Sequence, residues 1–245
     1  MIRQTLLPLA IVALAACSDS AGPNSRAMTM SFASNSAGSG AAASVVGLHA
    51  DVTLGDGTNT LVLTRAQLVL GEIELEPPGI DDCDNSGPGS SDCPEIHLAA
   101  AMVELPLNGG VNTAFSTAIP AGSYHEVELK VDAVESDDVG AAAFFATNPN
   151  FPRGKSVRVE GTFNGQPFVF TSSVEAEVEL EFEPPLTVDQ TGMNVTVNVD
   201  VSSWFRSNGA LINPLAVGAQ SLISSNISAS FAVYHDDDRN GRRDD

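Results

Sequence analysis

The sequence predicts an all-β protein built as an antiparallel β-sandwich. Several segments alternate strictly between apolar and polar residues, which is the period of a strand with one buried face. Turn-forming residues separate these segments, and the sequence has no long stretch with the period of an α-helix. Because each strand would have one apolar face, two sheets packed against each other would bury those faces together.

The predicted elements occupy most of the chain after a flexible segment at residues 17–44, and the sandwich domain is expected at residues 45–235. The alternation is clearest where glutamates or asparagines occupy every second position. In chain order, strands are expected at residues 28–32 (an early strand inside the flexible segment), 61–75, 126–133, 157–163, 167–170, 174–183, 193–201 and 225–234, and short helical turns near residues 141–146, 202–206 and 214–222.

Local signals refine this prediction at several positions. The apolar residues change parity around Gly71, which predicts a β-bulge that redirects the strand. Asn164-Gly165 is the preferred dipeptide of a two-residue type I′ hairpin turn. Tyr124 is expected to bury its ring while its hydroxyl caps a loop. Trp204 and Phe205 are expected in the core, and a carbohydrate-stacking surface is the alternative interpretation.

The N-terminus predicts export. Residues 1–16 have one basic residue, Arg3, then a short apolar run and small residues, as in a secretory signal peptide. The run is shorter than the roughly 20 residues that cross a bilayer as a helix. Residues 14–17, Leu-Ala-Ala-Cys, resemble the lipobox of bacterial lipoproteins. That resemblance implies lipidation of Cys17, and Ser18 favours the outer membrane by analogy with enterobacterial sorting.

Composition limits the possible partners. The 245-residue chain has a formal net charge of −20 at pH 7, so it repels nucleic acid and anionic lipid and attracts cations. A hydrophobic fraction of 43% argues against disorder. We therefore expect no nucleic-acid partner, attachment to the membrane through the lipid, and a glycan or protein ligand as further possibilities.

Two cysteines remain after Cys17 in the predicted mature chain. Cys83 and Cys93 flank a run of turn-forming residues, and an exported protein with two such thiols is expected to join them in a disulfide. The predicted disulfide loop covers residues 81–94 and lies at the surface.

Several ordered phrases resemble one family of uncharacterised bacterial envelope lipoproteins. The resemblance extends from about residue 45 to residue 245. It implies a sandwich of the immunoglobulin or transthyretin kind exposed on a bacterial envelope, and it implies no activity. The phrases are Leu-Thr-Arg-Ala-Gln-Leu-Val-Leu at residues 63–70, Val-Glu-Leu-Pro-Leu-Asn-Gly-Gly at 103–110, Ile-Pro-Ala-Gly-Ser-Tyr-His-Glu-Val at 119–127, and Asp-Val-Ser-Ser-Trp-Phe at 200–205.

The C-terminal tail, residues 236–245, resembles a calcium-binding loop. Its spacing matches loop positions 1, 3, 5, 6 and 9, and Gly241 would allow the sharp turn. The pattern is closer to the short Asp-rich repeats of thrombospondin and dockerin modules than to an EF-hand, because the chain stops before position 12. The expected calcium ligands are the side chains of Asp236, Asp238, Asn240 and Asp244 and the backbone carbonyl of Arg242. The alternative is a solvated acidic tail.

A second acidic feature is the series of glutamates at residues 175, 177, 179, 181 and 183, which share one face of a strand. We interpret it as a solvated face, with a surface for a cation or a basic partner as the alternative. The four histidines, His49, His97, His125 and His235, are scattered without the spacing of metal ligands.

The sequence contains none of the common catalytic motifs, so no catalytic residue is predicted. The function that we expect is a lipid-anchored, non-enzymatic protein of the bacterial outer membrane with a role in binding or envelope structure. One alternative is a calcium-dependent carbohydrate-binding or adhesion module. A second alternative is a glycoside hydrolase with a carboxylate pair.

Overall fold

The computed structural model describes residues 25–34, 51–77, 99–107, 109–136, 138, 140–188 and 192–243. Within them, the chain forms strands and two short helices, which confirms the all-β class. The elements are β1 (Ser25–Ser34), β2 (Val52–Gly55), β3 (Thr60–Glu76), β4 (Ala101–Glu104), β5 (Val111–Pro120), β6 (Gly122–Val131), α1 (Ala141–Thr147), β7 (Val157–Phe163), β8 (Gln166–Ser172), β9 (Ala176–Val188), β10 (Met193–Val199), β11 (Arg206–Ser207), β12 (Ala210–Leu211), α2 (Ala219–Ser228) and β13 (Phe231–His235).

Two sheets form the sandwich. The smaller sheet has the order β13-β10-β1-β5, and the larger has the order β8-β7-β3-β6-β9, with β2 and β4 also paired to β3. Neighbouring strands are antiparallel except for β1 and β10, which run parallel. β11 and β12 form a separate two-stranded ribbon.

The core lies between the two sheets. Apolar side chains from both sheets form one cluster, to which Met30 of β1, Leu129 of β6 and Val197 of β10 belong. Trp204 and Phe205 are fully buried in it, which confirms the expectation that they are core residues. The alternative of a carbohydrate-stacking surface is therefore wrong. Neither helix of the described residues has the length and apolar character needed to cross a membrane.

β1 moves the start of the domain. The flexible segment was expected to continue to residue 44, but residues 25–34 form a full strand in the smaller sheet. Its apolar residues Met28, Met30 and Phe32 alternate and are completely buried. Within the described residues the sandwich therefore begins at Ser25, because this short alternating segment has a place between β5 and β10.

The last strand is shorter than predicted. Residues 225–234 were expected to be a single strand, but residues up to Ser228 belong to α2 and β13 begins at Phe231. Ala219, Ile223 and Ile227 are spaced by four residues and form the buried face of the helix. The period-two pattern from Ile227 onward therefore does not mark one strand. It arises because α2 ends at Ser228 and β13 begins at Phe231.

Three local predictions are confirmed. The register of β3 shifts between Leu70 and Glu72, where the bulge at Gly71 was expected. Asn164 and Gly165 both have positive φ, 50° and 80°, as a type I′ turn requires. The Tyr124 hydroxyl donates a hydrogen bond to the Pro120 carbonyl at 2.8 Å, as expected for a tyrosine that caps a loop.

Four residues of the predicted lipidation, disulfide and calcium sites lie outside the described residues: Cys17, Cys83, Cys93 and Asp244.

Candidate metal centre

The outer face of β3, β6 and β9 carries glutamates on all three strands. The strand register aligns them in three cross-strand rows, which together we call the acidic face. The lysine row is Glu72, Lys130 and Glu177; the middle row is Glu74, Glu128 and Glu179; the histidine row is Glu76, Glu126 and Glu181, and His125 lies beside it.

Several of these carboxylates are buried, although they face away from the core. With backbone and side chain taken together, Glu74 and Glu76 are each 9% exposed, and Glu128 is 4% exposed. Like charges directly opposite each other destabilise a sheet, and burial adds the cost of desolvation. Burial raises the pKa of Glu74 to about 7; the nearby Lys130 opposes this rise and Glu72 and Glu128 add to it. A nearby positive charge would therefore stabilise the acidic face.

Lys130 supplies positive charge at one end of the acidic face. Its ammonium lies 2.8 Å from Glu128 Oε1, 3.5 Å from Glu74 Oε1 and 3.6 Å from Glu72 Oε2. Burial acts to lower the pKa of Lys130, but the hydrogen bond to Glu128 and the three carboxylates together raise it above its usual value. Lys130 thus compensates the lysine row and the middle row.

The histidine row brings an imidazole and two carboxylates together. His125 Nε2 lies 3.7 Å from Glu76 Oε2 and 3.9 Å from Glu126 Oε2. One potential ligand atom from each of the three residues lies within 4.8 Å of the other two. The three side chains are 11% exposed for Glu76, 31% for His125 and 17% for Glu126, so the group is sheltered but reachable from solvent.

A β-bulge places His125 on this face. The register between β6 and β9 passes from Tyr124 opposite Leu186 to Glu126 opposite Glu181, so His125 has no partner residue on β9. Tyr124 is buried on the core side, whereas the next two residues both face outward and Val127 is again buried. A bulge that sets two successive side chains on one face accounts for this order.

The electrostatics of the histidine row differ from those of the lysine row. Burial raises the pKa of Glu126, the charges of Glu76 and Glu179 raise it further, and His125 lowers it. Within the described residues, His125 is the one basic side chain within ion-pair distance of Glu126. Imidazole nitrogen and carboxylate oxygen are both common metal ligands, so this group can hold a cation.

The predicted calcium loop takes a defined conformation. The Asp236 carboxylate is completely buried and accepts hydrogen bonds from the Thr196 hydroxyl at 2.8 Å and from the backbone N–H groups of Asn240 at 3.0 Å and Gly241 at 2.9 Å. Asp238 accepts a further hydrogen bond from the Asn240 backbone N–H at 3.1 Å. Asp236 is therefore packed into the folded domain.

The remaining tail residues lie at the surface. Asp238, Asn240 and Arg242 are exposed, and Gly241 has a φ of +77°. A Cβ atom on Gly241 would come within 2.7 Å of Val111 Cγ2, so only glycine fits this turn. The structure thus places Asp236, Asp238 and Asn240 in one loop, and calcium binding by this loop stays a prediction.

Sequence reasoning missed Glu76 and His125 as members of one site. They lie on different strands, and only the register of β3 with β6 brings them together. One sequence signal was available: Tyr124 and Val127 are apolar residues separated by the two polar residues His125 and Glu126, which breaks strict alternation and indicates a bulge.

Comparison with known proteins gives one distant structural likeness. No protein-family model and no curated protein matches the chain. Among solved structures, the chain is similar to MbnP from Methylosinus trichosporium, with 15% sequence identity and a TM-score of 0.43. The match covers 80% of this chain and 83% of that chain. A likeness this distant carries no information about ligand or activity, and the resemblance to envelope lipoproteins stays a prediction.

Proposed function

We propose that this protein is a lipid-anchored, non-enzymatic binding protein of the bacterial envelope, and that its ligand is a divalent cation held by Glu76, His125 and Glu126. The observation that carries the proposal is the convergence of the three ligand atoms within 4.8 Å. The predicted signal peptide at residues 1–16 and the resemblance of residues 14–17 to a lipobox support the envelope location.

The charges around the site favour a cation there. Lys130 lies at the other end of the acidic face, beside Glu74 and Glu128, whereas the histidine row brings the carboxylates of Glu76 and Glu126 to one imidazole. A divalent cation between Glu76 and Glu126 would attract both carboxylates and so outweigh their mutual repulsion. It would also offset the cost of keeping these half-sheltered carboxylates ionised.

Isothermal titration calorimetry on the purified exported protein tests the proposal. We expect a saturable site for a divalent cation in the wild-type protein, and loss of at least about 100-fold in affinity in the Glu76→Gln/Glu126→Gln double variant. Outer-shell partners of metal ligands are each worth about 10–100-fold, and two direct ligands should be worth more.

The matched control is the Asp51→Asn/Glu135→Gln double variant. It removes the same number of negative charges from two exposed positions outside the acidic face. Equal losses in the two double variants would mean that the cation is attracted by net charge alone, and the proposed site would be wrong. Circular dichroism confirms that both variants are folded.

Calcium binding by the C-terminal loop is a second candidate. The observation that favours it is the wrapping of the backbone N–H groups of Asn240 and Gly241 around Asp236, with Asp238 and the Asn240 side chain beside them. The described loop offers few oxygen ligands for an ion that prefers six to eight, so we expect a dissociation constant on the order of 10⁻⁴–10⁻³ M.

Asp238→Ala distinguishes the two candidates. Asp238 is exposed, so its removal should leave the fold intact while it deletes one calcium ligand. Calcium heats that vanish in Asp238→Ala but persist in the Glu76→Gln/Glu126→Gln variant would assign calcium to the tail. Calcium heats that are unchanged in Asp238→Ala would leave the tail with a structural role only.

A further inference from the structure

We infer that the Glu76–His125–Glu126 site selects a zinc-class transition metal (zinc, cobalt or nickel) and discriminates against calcium and magnesium. The inference rests on the proposed function, because it names the ion for the same site. It depends on the chemistry of the donor atoms, the distances between them and the position of Lys130.

The donor set contains a nitrogen. Calcium and magnesium are bound in proteins through oxygen ligands, whereas imidazole suits zinc and its neighbours in the first transition series. His125 directs Nε2, and not its other nitrogen, at both carboxylates. Calcium, which is bound through oxygen ligands, would not be coordinated by this nitrogen.

The distances suit a small tetrahedral ion. Nitrogen and oxygen ligands lie about 2.0–2.2 Å from zinc, and tetrahedral geometry then separates neighbouring ligand atoms by about 3.4 Å. His125 Nε2 lies 3.7 Å from Glu76 Oε2 and 3.9 Å from Glu126 Oε2. These two separations are too long for hydrogen bonds and need a contraction of a few tenths of an ångström to match zinc, while the ligand oxygens of Glu76 and Glu126 lie within 4.8 Å of each other.

The number of ligands points the same way. Two carboxylates supply at most four oxygens, and calcium takes six to eight. Three protein ligands plus one water complete a tetrahedral zinc site. The shelter of Glu76 and Glu126, which are 11% and 17% exposed, limits how many waters can make up a larger shell.

Lys130 keeps a larger ion from recruiting the middle row. Its ammonium already lies within 3.5 Å of Glu74 and 2.8 Å of Glu128, the two carboxylates nearest to the histidine row on β3 and β6. A calcium ion that sought these oxygens would have to displace a bound ammonium. The ligand atoms that converge at this end are those of Glu76, His125 and Glu126; Glu181 of the same row is not among them.

Titrations with Zn²⁺, Co²⁺, Mg²⁺ and Ca²⁺ on the exported protein test the inference. We expect Zn²⁺ to bind at least about 100-fold more tightly than Ca²⁺, and Co²⁺ to give visible absorption bands typical of a tetrahedral nitrogen- and oxygen-ligated ion. His125→Gln should lower Zn²⁺ affinity at least about 100-fold and remove the Co²⁺ bands. His125→Glu should raise Ca²⁺ affinity relative to Zn²⁺, because it makes the group all-oxygen.

The outcomes separate this inference from the proposed function. If no divalent cation binds the wild-type protein, the proposed function itself fails. If a cation binds and the Glu76→Gln/Glu126→Gln variant loses it, while His125→Gln changes neither the Zn²⁺ nor the Ca²⁺ affinity, the site stands and the selectivity is overturned. Since His125 is 31% exposed, its substitution is compatible with folding, and an unchanged thermal unfolding midpoint checks this.

Discussion

Lys130 Nζ lies 2.8 Å from Glu128 Oε1, and the Glu128 side chain is only 5% exposed. The pair lies between two further carboxylates, because Glu74 is opposite Glu128 on β3 and Glu179 is opposite it on β9. Lys130 is the cation that stabilises the closely spaced glutamates on the outer face of the larger sheet.

Replacing Lys130 by methionine should therefore destabilise the fold. The change leaves the buried Glu128 without its ammonium and increases the repulsion with Glu74. Breaking a buried pair costs about 3–5 kcal/mol, but the lysine is over a third exposed, so about 1–3 kcal/mol is expected. Urea denaturation measures the free energy of unfolding.

Lys155→Met is the control for this change. Lys155 lies outside the acidic face and has no ion pair among the described residues, so its substitution should alter stability by less than about 0.5 kcal/mol. Equal stability of Lys130→Met and Lys155→Met would mean that solvent, and not Lys130, compensates the glutamates.

The stability of the protein should also fall in acid because of Asp56. Its carboxylate accepts hydrogen bonds from the backbone N–H groups of Asn59, Leu211 and Thr58, which join the β2–β3 turn to β12. The Asn59 backbone bond, followed by the other bonds, holds the pKa of Asp56 well below its usual value. A lowered pKa in the folded state means stability that is present above about pH 4 and lost as the pH falls further.

Asp56→Ala should consequently unfold at a lower temperature than the wild type at pH 7, and the difference should shrink between pH 4 and pH 2. Thermal melts followed by circular dichroism measure both midpoints. Asp51→Ala, an exposed neighbour, provides the control. A constant difference from pH 7 to pH 2 would contradict the role of the Asp56 charge.

The sequence was sufficient to predict which residues of a strand share a face, but not which residues lie opposite them on the neighbouring strands. Alternation placed Glu126, Glu128 and Lys130 on one outer face, because side-chain direction along a strand is a local property. It could not say that Glu76 lies opposite Glu126, since that pairing depends on which strands are neighbours in the larger sheet and on their register. The candidate site depends on this register, so the linear chain could indicate the bulge at His125 but not that Glu76 lies beside it.

The same reasoning explains the errors at the two ends of the domain. Met28, Met30 and Phe32 were recognised as a strand but were assigned to the flexible segment, because their partners Met193, Val195 and Val197 are distant in sequence. In α2 the buried positions Ile223 and Ile227 have helical spacing, but the residues that follow continue with period two. A short helix that runs into a strand gives no clear periodicity of its own.

Asp236 should be essential for stability whether or not the tail binds calcium. Its buried carboxylate holds three hydrogen bonds, including one from Thr196 on β10. Asp236→Ala would leave Thr196 and two backbone N–H groups without their acceptor, at a cost of roughly 2–4 kcal/mol in the free energy of unfolding. Denaturation in the presence of a chelator measures this cost, with Asp238→Ala as the exposed control; equal stability of the two variants would contradict it.

Cys83 and Cys93 are predicted to form a disulfide in the exported protein. The loop between them is short and rich in turn formers, so closing it should contribute about 2–3 kcal/mol through the unfolded state. Thiol titration of the denatured protein, with and without prior reduction, counts free cysteines. Two reactive thiols before reduction would contradict the pairing.

The last prediction concerns the attachment of the sandwich to the membrane. Cys17→Ala should shift the protein from the membrane fraction to the soluble fraction and abolish labelling by a fatty-acid analogue, because an acylated cysteine would be the anchor.

β1 starts at Ser25, so the chain from Cys17 to the first strand can span at most about 25–30 Å. Ser25 pairs with Pro120, and the β6 strand that starts just after it carries His125. The candidate metal centre would then lie on the end of the sandwich nearest the membrane. Lipid-quenching of a fluorophore at position 121 should exceed that of one at position 165, at the Asn164-Gly165 turn. Equal quenching, or membrane retention of Cys17→Ala, would contradict this arrangement.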